Sequence, residues 1–303
     1  MSKYRVWLLL VLCNLFWAGN YVFGKYVVAE MPPLMITFSR WLVASVLLLI
    51  IAYFYEKPQW SLVPKEWISL LAMAVLGMIG YNTILYAALE YTSPTNASLV
   101  SALNPGIIVI FSLYMLKERI SKIQSIGLVV SLLGVVVILT GGRLTQILHV
   151  SYNRGDLLML AAVIMWTFYS IIGKRIKNIP PITTTAVTAL IATIIMAPFA
   201  IVQGINYTEL SPLALQGIAY MIIFPSVGSF VFWNIGVRQI SASKAGVFLN
   251  LMPVFTAIIS WSLGERITLA QISGGILVFI GVYLTTGMLD IKLASKRQQK
   301  GTA

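Results

Sequence analysis

One stretch of this chain occurs twice, and the second copy limits how the polypeptide can fold. Residues 93–119 begin Ser-Pro-Thr-Asn-Ala-Ser-Leu-Val-Ser-Ala-Leu-Asn-Pro and continue through an apolar run to Lys-Glu-Arg. Residues 241–266 begin Ser-Ala-Ser-Lys-Ala-Gly-Val-Phe-Leu-Asn-Leu-Met-Pro and continue through another to Gly-Glu-Arg. Ser93, Ala97 and Pro105 correspond to Ser241, Ala245 and Pro253, 148 residues apart. With one residue fewer, Glu118-Arg119, Gln124, Gly127 and Gly134 fall on Glu265-Arg266, Gln271, Gly274 and Gly281. The expectation is two repeats, residues 1–146 and 147–290, followed by a basic tail over 291–303.

What is repeated is a set of apolar runs. Crossing roughly 30 Å of hydrocarbon takes about 20 residues. Runs of that order lie near 6–28, 35–55, 67–89, 96–116, 123–141, 155–175, 182–204, 213–236, 244–263 and 271–289. Only 10% of the residues are charged and 59% are hydrophobic, against about 25% charged in a soluble domain. Lipid must be the solvent, and the expected fold is all-α and polytopic, with ten transmembrane helices. The run from Val6 to Val28 is too long for the core of a signal peptide and lacks a small-x-small site, so it reads as an uncleaved first span. Cys13, the one cysteine, rules out an intramolecular disulfide and a cysteine-based metal site.

The net charge of +12 does not point to nucleic acid, because the basic residues sit in short gaps between spans. There they set topology. With the N-terminus cytoplasmic, sixteen lie inside and five (Lys25, Arg40, Arg143, Arg154, Arg266) outside. Both termini are then cytoplasmic, in a cell-membrane protein. Five spans per half is an odd number, so the second half enters from the other side. The repeats are inverted, an arrangement of secondary transporters with sites near the midplane.

Candidate site residues are those at span centres that recur. Trp17 and Trp166 correspond, each followed eight residues on by Lys25 or Lys174. Pro105 and Pro253 sit mid-span as expected kinks, and Pro225 lies opposite Gly77. Asn14, Asn20, Asn82, Asn104, Asn234 and Asn250 should face the interior, since an amide facing lipid is expensive. With Trp17, Tyr81, Tyr86, Trp166, Tyr169 and Trp233 they outline a polar, aromatic chamber supplied by spans 1, 3, 4, 6, 8 and 9. Each amide alone reads equally well as interhelical glue. Spans 5 and 10 are glycine-rich, suited to packing within one subunit or to a homodimer. Glu118-Arg119 and Glu265-Arg266 are expected to fasten their own hairpins, with gating the lesser alternative; Ser121 and Thr268 should cap the next helices. No acidic residue sits mid-span and no catalytic motif is present, so neither enzyme chemistry, a cofactor nor a metal is expected.

In this order and doubled, the motifs resemble the drug/metabolite transporter superfamily, in its ten-helix EamA-type form. They are Trp17-x-x-Asn20 with Gly24-Lys25, Arg40, Tyr86-Ala-Ala-Leu with Thr92-Ser93, Pro105 with Glu118-Arg119, and the second-half echoes through Glu265-Arg266 and Gly274. The resemblance implies export of small metabolites, often amino acids, through a central cavity. The chain lacks the first-span glutamate of small multidrug members, and no Lys or Arg is expected at the midplane for a phosphorylated sugar. The reading is an exporter of neutral or zwitterionic metabolites, with a polyspecific drug exporter or a non-transporting receptor or assembly factor as rivals.

Overall fold

The computed structural model describes residues 2–92, 97, 100–143, 153–204, 207–262, 264 and 267–286. Among them are ten apolar helical segments, seven of them long and apolar enough to cross a membrane. α1 is Lys3–Val28, α2 Pro33–Tyr55, α3 Trp60–Tyr91, α4 Asn104–Met115 and α5 Lys122–Leu139. α6 is Arg154–Arg175, α7 Pro181–Gln203, α8 Pro212–Ile240 and α10 Leu269–Thr285. α9 runs through Ala242–Val247, a 3-10 turn at Phe248–Asn250, and Leu251–Ser262. Leucines, isoleucines and valines such as Val46, Ile50, Ile126, Val129, Ile194, Val202 and Ile276 are exposed on the outer surface, as lipid contact requires.

The inverted symmetry is visible in the contacts. Three pairs of corresponding helices meet: α1 with α6, α2 with α7, and α5 with α10. Along α5 and α10 a Cβ on Gly127 would lie 2.7 Å from the Gly281 carbonyl oxygen, and one on Gly134 2.6 Å from that of Gly274. Gly127 corresponds to Gly274 and Gly134 to Gly281, so each glycine meets the counterpart of the other. Only an antiparallel pair does this. These glycine faces are therefore used inside one subunit, and the homodimer reading finds no free glycine face there.

The second signature is a pair of π-helical segments. Ala74–Gly80 in α3 and Ile222–Ser229 in α8 stand 148 residues apart, and each widens its helix mid-span. Pro225 lies inside the second, where its ring displaces the ordinary i to i−4 bond. Carbonyls loosened this way need donors in a medium without water. Asn82 Nδ2 donates to Gly77 and Met78, Trp41 Nε1 to Met78, and Ser226 Oγ to Met221.

Pro105 and Pro253 are not simple kinks. α4 restarts at Asn104 after a turn at Ala102 and Leu103, and α9 breaks at Phe248–Asn250, the matching place. In α4 the proline thus occupies the first turn of a new helix, where its missing N–H costs nothing. The chain interrupts both spans before the proline rather than bending at it.

Caps hold the ends. Ser121 with Gln124, and Thr268 with Gln271, form matching capping boxes. Lys25 donates to the carbonyls of Leu89 and Thr92 at the end of α3, and Lys174 to that of Arg238 at the end of α8. The recurring lysine so neutralises the negative C-terminus of a neighbouring helix in its own repeat. Glu30 accepts from the hydroxyl and amide of Ser211 at the start of α8, and those bonds hold its carboxyl below the usual carboxylate range.

Candidate functional site

At the centre, corresponding tryptophans touch. Trp17 and Trp166 meet edge to face with ring centroids 5.0 Å apart, so the pseudo-two-fold axis passes between them. Trp166 is also within 4.9 Å of Tyr81 and stacked at 4.9 Å on Tyr169, and Trp233 lies 5.4 Å away. Five predicted aromatics thus form one cluster. Phe230, which the sequence reading passed over, sits among them, 5.4 Å from Trp166 and 4.7 Å from Trp41. Its signal was available, one turn before Trp233 on the same face.

Flanking the cluster are two matched hydrogen bonds with their residue types exchanged. Tyr86 Oη donates to Asn20 Oδ1 at 2.9 Å in the first repeat, and Asn234 Nδ2 donates to Tyr169 Oη at 2.8 Å in the second. Asn20 corresponds to Tyr169 and Tyr86 to Asn234. Asn234 also donates to Thr185 Oγ1 of α7. Tyr21 bonds Ser101 at 2.7 Å and joins Tyr81 at 3.4 Å.

The other amides divide. Asn14 bonds its own helix at Leu10, and Asn250 reaches Ser131 on α5, away from the aromatic cluster. Asn82 serves the π-helical carbonyls. Asn104 is buried at the start of α4 with its Oδ1 unpartnered. Trp166 Nε1, inside the cluster, has no acceptor among the described residues either. Leaving such a donor unpaired costs about 1–3 kcal/mol.

Two expectations need correction. Arg40, counted among the outer charges, lies inside the bundle: it is 1% exposed and stands seven residues into α2. Its Nε and Nη2 donate to Ser226 Oγ and its Nη1 to Asn82 Oδ1. A cation therefore stands in the membrane interior, and the outer basic count drops to four. α2 and α7 also join the site, through Arg40 and Thr185, although spans 2 and 7 were set apart. Most other polar residues of these helices are hydroxyls that bond their own helix, such as Thr37, Ser39, Thr184 and Thr188, so the two spans read as packing rather than as site.

Glu118 does not fasten its own hairpin. Its carboxylate accepts from the amides of Ala242 and Ser243 and the Ser243 hydroxyl, so it caps α9 of the other repeat. Glu56 does the same for α7, accepting from Ile182 and Thr183. Both clamps lie on the bundle face that carries the N-terminus. Arg119 is exposed; Glu265 and Arg266 lie outside the described residues. Charge-assisted bonds are worth about 1.5–3 kcal/mol each. Glu118→Gln is therefore expected to raise the maleimide reactivity of a cysteine at Val247, buried one turn inside, by about tenfold. Unchanged reactivity would mean that the clamp does not hold this face shut.

The sequence profile of the EamA-like transporter family matches residues 5–140 and again 153–287. The uncharacterized transporter YyaM of Bacillus subtilis is 30% identical over 99% of both chains. An uncharacterized transporter of Archaeoglobus fulgidus is 32% identical over 92% of this chain and 96% of its own. The uncharacterized inner membrane transporter YedA of Escherichia coli is 26% identical over 89% and 87%. A crystal structure 21% identical to this chain has the same fold, with a TM-score of 0.78 over 96% of this chain and 99% of that one. Two family-length matches, on two inverted five-helix units closed around paired tryptophans, make this chain a multi-pass membrane transporter of the EamA-like family.

Proposed function

We propose that the protein is an inner- or plasma-membrane carrier that exports a small metabolite by alternating access, foremost an amino acid with a sizeable apolar side chain. The observation that carries this reading is the unpartnered Trp166 Nε1–H at the centre of an aromatic cluster on the pseudo-two-fold axis. Aromatic faces suit an apolar side chain, and a buried donor without an acceptor suits a carboxylate or carbonyl arriving with it. The two repeats rock about α4 and α9, which are already broken mid-span. Both termini face the cytoplasm, a topology that the basic residues of the short loops support. No described acidic residue lies mid-span, so transport runs on the substrate gradient with little dependence on pH.

The test is counterflow in proteoliposomes with labelled amino acids, alongside growth of overexpressing cells under amino-acid excess. Accumulation of an aromatic or branched amino acid above empty vesicles is expected. Flux of unrelated organic cations instead would favour the drug-exporter reading, and no flux with a bound protein partner would favour the receptor. Topology is tested separately. In a Cys13→Ser background, cysteines at positions 2 and 301 should both label only from the cytoplasmic side, and labelling from opposite sides would remove the inverted topology.

A further inference from the structure

We propose that Arg40 gives the chamber a one-sided positive potential, so that the carrier accepts molecules bearing a carboxylate and rejects organic cations. This rests on the carrier reading above and adds the charge class of its substrate.

Arg40 lies about 10 Å along α2 from its first residue and is fully packed in protein. Its partners are neutral: Ser226 Oγ at 3.1 and 2.8 Å, and Asn82 Oδ1 at 3.3 Å. The guanidinium carbon is 5.5 Å from the Tyr86 ring centroid and 5.9 Å from that of Trp41. Among the described residues no carboxylate hydrogen-bonds to it. Ser226 is already committed to the Met221 carbonyl, and the Asn82 amide to Gly77 and Met78. These dipoles orient the cation without cancelling it. A guanidinium stays charged even when buried, and a buried charge calls for a partner.

The charge stands one side-chain layer behind the aromatic cluster. Asn82 follows Tyr81, whose ring meets Trp166, and Tyr86 bonds Asn20, one turn from Trp17. The corresponding position in the second repeat is Thr188, whose hydroxyl only donates to the Thr184 carbonyl of its own helix. The second repeat's part-buried cation, Arg238, bonds Gly173, Ile179 and Thr184 near the end of α8, where Glu56 and Glu66 offset it. The cation inside the span without a carboxylate is Arg40, and the field across the aromatic cluster has a direction. At an effective dielectric of about 20, a unit charge within roughly 10 Å changes the affinity for an opposite unit charge on the order of tenfold or more. A phosphate dianion would draw on a second cation. A carboxylate matches one guanidinium.

The test uses one ring system in three charge forms: tryptophan, the amine tryptamine and the acid indole-3-propionate. Binding to the purified protein is read as a thermal shift and as competition in counterflow. Wild type should bind the acid and the zwitterion at least tenfold more tightly than the amine. Arg40→Gln should erase that preference, and Arg40→Lys should keep most of it. Ser226→Asp, which sets a carboxylate beside an intact Arg40, should erase it as Arg40→Gln does, and serves where Arg40→Gln fails to fold. Wild type that binds tryptamine as well as the acid overturns this inference and leaves the carrier reading standing. So does a folded Ser226→Asp protein that keeps the preference. Wild type that binds none of the three overturns the amino-acid reading, and this inference with it.

Discussion

Transport by Trp166→Ala is expected to fall to background, and by Trp166→Phe about tenfold. Trp166 touches Trp17, Tyr81, Tyr169, Phe230 and Trp233, so truncation removes the common wall of both repeats. A large aromatic truncated in a packed interior destabilises by about 3–5 kcal/mol, so flux must be normalised to folded protein. The phenylalanine variant separates the two roles, because it keeps a ring but loses Nε1–H. One hydrogen bond to a charged acceptor is worth about 1.5–3 kcal/mol, which corresponds to roughly tenfold or more. Equal flux by Trp166→Phe and wild type would remove the indole N–H from substrate contact and take away the main support for the proposed function.

The second large effect is on stability. Gly281→Val is expected to destabilise by about 3 kcal/mol, read as a lower melting temperature in detergent. A Cβ there would lie 2.4 Å from the Ser131 amide nitrogen and 2.5 Å from the Gly127 carbonyl oxygen. Both are backbone atoms, which cannot swing aside as a side-chain end can, so α5 and α10 must separate. Gly106→Ala is the control: nothing lies within 4 Å of its added Cβ, and a helix favours alanine over glycine. If the two variants melt alike, the α5–α10 contact is not what holds the repeats together.

Much of the architecture could be read from residue order, because lipid imposes a simple rule: each apolar run must cross as a helix. The spacing of 148 residues pairs Gly77 with Pro225, but nothing in the residues says that both spans wind as π-helix there. What lay beyond reach were consequences of packing across repeats. Glu118 follows α4, and no local pattern says that its carboxylate reaches the start of α9. Arg40 counts with the outer charges because it falls near the beginning of span 2; its inward face depends on where Asn82 and Ser226 end up. The aromatic cluster was partly legible, through Trp17 and Trp166, whereas Asn14 and Asn250 share its composition but turn elsewhere. Amide content identifies an interior face without saying which neighbour it serves.

The swapped tyrosine and asparagine on either side of the axis bear on the duty cycle. If the two faces open by trading repeat geometries, identical halves would leave both openings equally populated. These halves keep a bond with the donor on α3 or α8 in each, but exchange tyrosine and asparagine between its ends, and Arg40 has threonine at its corresponding position, so the openings differ in free energy. A gap of about 1.4 kcal/mol leaves one side open ten times as often as the other. An alternating-access carrier with such a gap would rest facing one compartment.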